Sequence, residues 1–137
     1  MITELSVFLP NEPGMLAELI KKLYENDIII RAISVVETAD YGLILLLVNK
    51  PTECIAFLEK NDYEFNRSSV LAVKFDEKPM ELFNIAKILG DNNVNIEYLY
   101  LTVVASAPLI VIRVDDLEKG QRVLQENHFN LMEEDQL

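Results

Sequence analysis

The feature that most constrains this chain is an internal repeat. When the sequence is shifted so that Pro13 falls on Pro79, the two halves align without a gap, and apolar positions coincide over most of the overlap. A repeat of this kind means that one structural unit occurs twice, so we predict two units, residues 1–67 and residues 68–137. Identical pairs include Leu5 with Leu71, Val7 with Val73, Leu16 with Leu82, Leu23 with Leu89, Asn26 with Asn92, Ile44 with Ile110, and Leu58 with Leu124.

The spacing of apolar residues predicts the elements of each unit. Apolar residues recur every three to four positions over residues 14–26, which indicates an amphipathic helix, whereas residues 28–38 are rich in the β-branched residues typical of strands. The predicted order is β-α-β-β-α-β, a ferredoxin-like α+β plan. In the first unit it comprises strands at 5–9, 28–38 and 43–49, helices at 14–26 and from Pro51 to about 61, a hairpin turn at 38–42, and a last strand after Tyr63.

In the third predicted strand, residues 43–48 are all apolar. In this plan both helices cover one sheet face, so the opposite face needs another cover. We predict that a second copy of the chain supplies it, giving a homo-oligomer, most simply a dimer, through the open sheet face. The alternative is a strand buried at the centre of the tandem.

The charge balance and the rare residues exclude several classes of function. Acidic residues number 23 and basic residues 12, for a net charge of −11, which argues against binding nucleic acid or an anionic membrane. The single Cys54 and single His128 leave no disulfide, no thiolate cluster and little basis for nucleophilic catalysis. We therefore predict no cofactor, no metal site and no enzymatic activity. With no signal-peptide pattern and no long apolar run, a cytoplasmic location is expected.

The turn at residues 11–14, Asn-Glu-Pro-Gly, joins the first strand to the first helix. The first N–H groups of a helix have no intrahelical acceptor, and the positive end of the helix dipole lies behind them. Such a place binds a carboxylate or a phosphate. Because no Lys or Arg sits beside the turn and no phosphate-loop pattern is present, a carboxylate is favoured. The alternative is purely structural: Asn11 caps the helix while Pro13 and Gly14 shape the turn.

The chain resembles the ACT domains, small amino-acid-sensing modules of metabolic enzymes. The resemblance is carried by the strand followed by residues 11–16, by residues 93–97 (Asn-Val-Asn-Ile-Glu) at a strand entry, and by the repeated topology. It implies two domains side by side in an eight-stranded antiparallel sheet, with the helices on one face and an amino acid bound at the pairing interface. There the loop before the first helix of one domain meets an Asn at the start of the second strand of its neighbour.

Mapped onto this chain, the resemblance implies one intact site. The first unit keeps Asn11 and Gly14 but has Ile29 at the strand position, whereas the second keeps Asn95 but has Glu77 and Met80 in its loop. The loop amides would bind the carboxylate, Asn11 and Asn95 the ammonium, and apolar neighbours the side chain. The predicted ligand-binding residues are Leu9, Asn11, Glu12, Pro13, Gly14, Met15, Leu16, Asn95 and Ile96.

These observations predict a free-standing regulatory protein that senses an amino acid and acts on an enzyme or another partner. The alternative is an interaction module that has lost its ligand, or a regulatory subunit of an amino-acid metabolic enzyme. A melting response to free amino acids distinguishes the amino-acid sensor from the interaction module that has lost its ligand.

Overall fold

The computed structural model describes residues 1–37, 41–76 and 78–137. Most of the predicted hairpin turn at 38–42, and the predicted loop residue Glu77, fall outside these residues. The elements are β1 Ile2–Pro10, α1 Met15–Glu25, β2 Ile30–Glu37, β3 Tyr41–Val48, α2 Pro51–Lys60, β4 Glu64–Lys74, α3 Glu81–Asp91, β5 Ile96–Val104, β6 Ala107–Val114, α4 Leu117–Glu126 and a short 3₁₀ helix, Glu134–Gln136.

The chain divides into two compact units, Thr3–Ser68 and Ser69–Leu137, the latter together with Met1–Ile2. The strand order is β2-β3-β1-β4 in the first unit and β4-β6-β5 in the second. In the first unit β1 pairs antiparallel with β3, with Val7 opposite Ile44. In the second, β4 pairs with β6 in the matching register, with Val73 opposite Ile110.

The expectation of eight strands is wrong: the described residues form a sheet of six. The last strand of the first unit and the first strand of the second are one continuous strand, β4, and the unit boundary lies inside it. The closing strand of the second unit is reduced to a single bridge between Val73 and Leu131. Backbone bonds from Lys74 to Asn130 (2.8 Å) and from Met132 to Ala72 (2.8 Å) flank that bridge, which is too short to count as a strand.

Each unit has its own core on the face where its two helices lie. In the first unit alternate residues of β1 and β3 pack with α1 and α2. In the second unit β4 and β6 pack with α3 and α4 in the same way. The α+β plan with two repeated units is therefore present. The fully buried members include Leu5, Val7, Leu19, Leu23, Leu46, Cys54 and Leu58 in the first core and Val73, Ile85, Leu89, Ile110, Ile112 and Leu124 in the second.

The four α-helices of the described residues end in the same way. Each has an Asn at its C-cap whose side chain donates a 2.8 Å hydrogen bond to the carbonyl four residues earlier. The next residue adopts a left-handed conformation, which turns the chain out of the helix. The asparagines are Asn26, Asn61, Asn92 and Asn127, and the left-handed residues are Asp27, Asp62, Asn93 and His128.

The apolar strand β3 is buried from Ile44 to Val48 within the single chain. Leu45 and Leu47, on the face away from α1 and α2, are 7% and 0% exposed. On β2, in contrast, Ile33, Val35 and Val36 are 39%, 53% and 46% exposed, and the homo-oligomer expected through the open sheet face stays a prediction. None of the described helices is long and apolar enough to cross a membrane.

Candidate functional site

The loop between β1 and α1 brings most of the predicted site residues together. Leu9 and residues 11–16 follow one another at the end of β1 and the start of α1. Residues 11–14 are exposed. Leu9 is only 4% exposed and belongs to the core of the first unit, against which Met15 and Leu16 also pack. The polar part of the loop is thus open to solvent, while its apolar neighbours face inward.

The backbone of this loop turns sharply into the helix. The Glu12 N–H donates to the Pro10 carbonyl at 2.8 Å, and the Gly14 carbonyl accepts from Glu18 at 3.0 Å, the first bond of helical spacing. Gly14 is the N-cap with φ 88°, in the left-handed region that glycine adopts freely. The structural alternative, in which Asn11 caps the helix while Pro13 and Gly14 shape the turn, stays a prediction beside the binding role.

The geometry leaves the start of α1 suited to an anion. The N–H groups of Leu16 and Ala17 precede the first helical bond, so the helix offers them no acceptor. A Cβ placed on Gly14 would meet no atom within 4 Å, so the space beside this residue is open. Amides without an acceptor in the helix, a helix dipole and open space together are the arrangement that accepts a carboxylate.

Asn95 and Ile96 lie in the second unit, at the start of β5. The Asn95 N–H donates to the Asp115 carboxylate at 2.9 Å, and the Asn95 carbonyl accepts from the Asp115 N–H at 3.1 Å. In the first unit Ile29 and Asn49 form the same pair of bonds, at 2.8 and 3.0 Å. The backbone position is therefore a feature of the repeated fold, and what differs is the exposed carboxamide that Asn95 adds.

The equivalent loop of the second unit has the same backbone and different chemistry. Met80 replaces Gly14 as the N-cap, with φ 68°, and its carbonyl accepts from Asn84 at 2.8 Å. The Met80 side chain is 61% exposed. The carboxylate of Glu81 accepts a hydrogen bond from the Asp76 N–H at 3.1 Å, so a protein carboxylate already lies at this loop. Sequence reasoning missed Glu81, although an acidic residue in a first helical turn was the available signal.

The single cysteine and the single histidine could have served in nucleophilic catalysis. In the structure one lies in a core and the other follows a helix cap. Cys54 is fully buried in the first core, and burial raises the pKa of its thiol to about 11, which keeps it protonated and unreactive. His128 is the exposed left-handed residue after the α4 cap. Among the described residues, no group of three His, Cys, Asp or Glu side chains is placed to hold a metal ion.

A second feature of the first unit was not anticipated from the sequence. A cleft of about 360 Å³ opens where β1 ends and β3 and β4 begin. Its lining is mostly apolar, and one acidic residue contributes to it. The lining residues are Phe8, Leu9, Pro10, Tyr41 and Glu64, of which only Leu9 was among the predicted site residues.

Comparisons with known proteins agree with this architecture. A crystal structure of protein BT0572 from Bacteroides thetaiotaomicron matches with a TM-score of 0.91 and 28% identity, covering 98% of this chain and 93% of that chain. The regulatory subunits of aspartate kinase from Thermus thermophilus and Thermus flavus share the fold, with TM-scores of 0.63 and 0.61. Their identities are 15% and 14%, and the matches cover 92% and 90% of both chains, respectively.

No curated protein matches the chain. A family model described as an ACT domain pair matches residues 1–137, the whole of the sequence. Together with the repeated β-α-β-β units and the exposed loop before α1, this match identifies the chain as a member of the ACT-domain-pair family.

Proposed function

We propose that this ACT-domain pair is a regulatory protein that binds a free amino acid and has no catalytic role. The ligand carboxylate accepts hydrogen bonds from the amides at the start of α1. Asn11 binds the ammonium group, and Asn95 stays a prediction for the same role. One amino acid binds per chain, at the loop of the first unit.

The observation that carries this proposal is the open space beside Gly14, the N-cap of α1. A Cβ placed on this residue would meet no atom within 4 Å. In the second unit Met80 places a side chain at the same point, and Glu81 adds a carboxylate that would repel a ligand carboxylate. The contrast supports one functional loop and one lost one.

The names of similar structures support a regulatory role. Two of them are regulatory subunits of aspartate kinase, and the likeness extends over nearly all of this chain. From this likeness we propose that the protein acts on an enzyme of amino-acid metabolism, either as a free sensor or as a subunit.

A melting screen against the twenty amino acids tests the proposal directly. A ligand present at one hundred times its dissociation constant should stabilise the protein by about 2.7 kcal/mol. The amide derivative of the active amino acid, which lacks the carboxylate, should lose most of this effect. If no amino acid changes the melting temperature, or if the amide acts as well as the acid, carboxylate binding at this loop is wrong.

A second measurement tests the contribution of Asn95. Replacing it with alanine should weaken binding by roughly 1–3 kcal/mol, the cost of leaving a polar partner without its hydrogen bond. The exposed Asn66 of β4 provides the matched control, and Asn66→Ala should leave the affinity unchanged. Equal affinities for both variants would remove Asn95 from the site, and calorimetry showing two equivalent sites per chain would contradict the single functional loop.

An interaction module without a ligand is the second candidate function. It is favoured by exposed apolar side chains at the start of α3, where Met80 is 61%, Leu82 39% and Phe83 51% exposed. Side chains of this kind are typical of protein contacts. A stable complex with an enzyme in the absence of any amino acid response would favour this function.

A further inference from the structure

The cleft at the end of β1 has a chemical character distinct from that of the loop. Phe8 and Tyr41 form two of its walls, with ring centroids 5.3 Å apart and planes at 64°, an edge-to-face arrangement. Glu64, which is exposed, lines the same cleft. Its volume of about 360 Å³ lies within the range of small-molecule sites.

The three side chains share one face of the first unit. Val7 and Leu9 belong to the core under the helices, so Phe8 between them lies on the opposite face. Phe65 also packs against that core, which places Glu64 on the opposite face too. Tyr41 stands opposite Pro10 at the start of β3, beside this end of β1.

The second unit shows that the fold does not need these residues. At the repeat distance, Phe8 corresponds to Lys74, Tyr41 to Ala107 and Glu64 to Asn130, so both rings and the carboxylate are replaced. A smaller cleft of about 190 Å³ occurs at the same end of the second unit, and its described lining contains no charged residue. That lining is Phe75, Leu101, Thr102, Val103, Pro108 and Leu109.

Aromatic rings beside a carboxylate select for positive charge. The faces of Phe and Tyr rings carry partial negative charge and attract ammonium groups, and the attraction grows when the cation is desolvated. A carboxylate on the same cleft adds a direct ion pair, and the net charge of −11 adds a field of the same sign. An anion, in contrast, would meet Glu64 and no basic residue of the described lining.

We propose that this cleft is a second binding site, beside the amino-acid loop and sharing Leu9 with its predicted residues, for a small organic ammonium ion. The ring faces of Phe8 and Tyr41 contact the cation, and the Glu64 carboxylate pairs with its charge. Nothing in this role requires a carboxylate on the ligand, which distinguishes it from recognition at the start of α1.

Calorimetric and NMR titrations of the full chain test the site with defined probes. Choline presents a quaternary ammonium and n-butylammonium a primary one, while 3,3-dimethyl-1-butanol has the shape of choline without its charge. We expect saturable binding of at least one of the two cations and about tenfold weaker binding of the neutral alcohol. Preference for choline would assign the cleft to methylated ammonium groups, and preference for n-butylammonium to primary amines. If the alcohol binds as well as choline, or if neither cation binds, the proposal is overturned.

Variants test whether the cation binds in this cleft. They also distinguish the local charge of Glu64 from the net negative charge of the protein. Glu64→Gln and Tyr41→Leu should each weaken binding of the preferred cation by about three- to tenfold. Glu59→Gln removes the same charge from an exposed position on α2 that does not line the cleft, and it should have no effect. Equal losses for Glu64→Gln and Glu59→Gln would indicate a general charge effect and contradict the site. Because these probes lack a carboxylate, their failure bears on the cleft alone, and an inactive amino-acid screen bears on the loop alone.

Discussion

The loops that precede α1 and α3 have the same backbone conformation at the N-cap but different residues there. Both N-caps are left-handed, at φ 88° for Gly14 and φ 68° for Met80. In both loops the N-cap carbonyl accepts the first bond of helical spacing, at 3.0 and 2.8 Å. Glycine adopts this conformation freely, whereas methionine adopts it at a cost. The turn is therefore imposed by the repeated fold and is not evidence of binding by itself.

The difference between the loops lies in what surrounds that turn. Beside Gly14 there is open space, and the residue after it, Met15, packs toward the core. In the second unit, the residue after Met80 is Glu81, whose carboxylate bonds the Asp76 amide. A duplicated fold can thus keep its backbone while one copy loses the ability to receive an anion.

Exchanging the two N-cap residues, by Gly14→Met and Met80→Gly, should have the largest effect on the free energy of unfolding. Gly14→Met forces a side chain into the left-handed region and should lower the free energy of unfolding by about 1–2 kcal/mol. Met80→Gly relieves the same strain and should raise it by up to about 1 kcal/mol, since the greater freedom of glycine in the unfolded chain offsets part of the gain. Urea titration of both variants measures the two changes.

The exchange also sharpens the functional comparison. Gly14→Met should abolish the melting response to the active amino acid, because it reproduces the second loop at that position. A response that persists in this variant would show that the open space beside Gly14 is not used. Opposite signs of the two stability changes are required, and a stabilising Gly14→Met would contradict the strain argument.

The second helices of the two units, α2 and α4, differ in whether a side chain caps the N-terminus, and we expect a smaller effect on stability from this difference. Asp116 caps α4 by accepting the Lys119 N–H at 3.1 Å, whereas its counterpart Lys50 gives α2 no side-chain cap. Asp116→Ala should therefore cost about 1 kcal/mol of unfolding free energy, and Lys50→Ala should cost almost none. Thermal or urea unfolding measures both. Equal losses would indicate that the cap does not distinguish the helices.

The smallest expected effect on stability comes from the ion pair between Glu18 and Lys22 in α1. Lys22 lies 2.8 Å from Glu18, and its hydrogen bond and charge hold the pKa of the Glu18 carboxyl below the ordinary value of 4.5. A lowered pKa in the folded state contributes stability above pH 4.5 that is lost as the pH falls through the folded pKa. In the second unit Asn84 and Ile88 stand at these positions, so the pair has no counterpart.

An NMR titration of the Glu18 carboxyl tests this contrast. In Lys22→Gln its pKa should rise to the ordinary value, and the acid-dependent part of the stability that the pair supplies should disappear. Lys21→Gln changes the neighbouring Lys21–Glu25 pair, at 3.6 Å, and should leave Glu18 unchanged. An unaltered Glu18 pKa in Lys22→Gln would show that the pair does not form in solution.

The sequence predicted those features that depend on local spacing. The helix predicted at 14–26 and observed at Met15–Glu25 followed from apolar periodicity, and the exposed loop followed from Pro13 and Gly14. The number of strands could not be obtained in this way, because strand propensity does not show that two successive strands are one. The cleft could not be predicted from the sequence either, since Phe8, Tyr41 and Glu64 are far apart in the chain and meet only through strand pairing.

The continuity of β4 limits how this protein can be altered. Many duplicated proteins tolerate longer connections between their copies, because the connections are loops. Here the copies adjoin between Ser68 and Ser69 in the middle of a strand, where successive side chains alternate between faces. One inserted residue at that point would turn Leu71 and Val73 away from their core and direct Lys74 into it. A junction of this type tolerates substitution but not the insertion of a single residue.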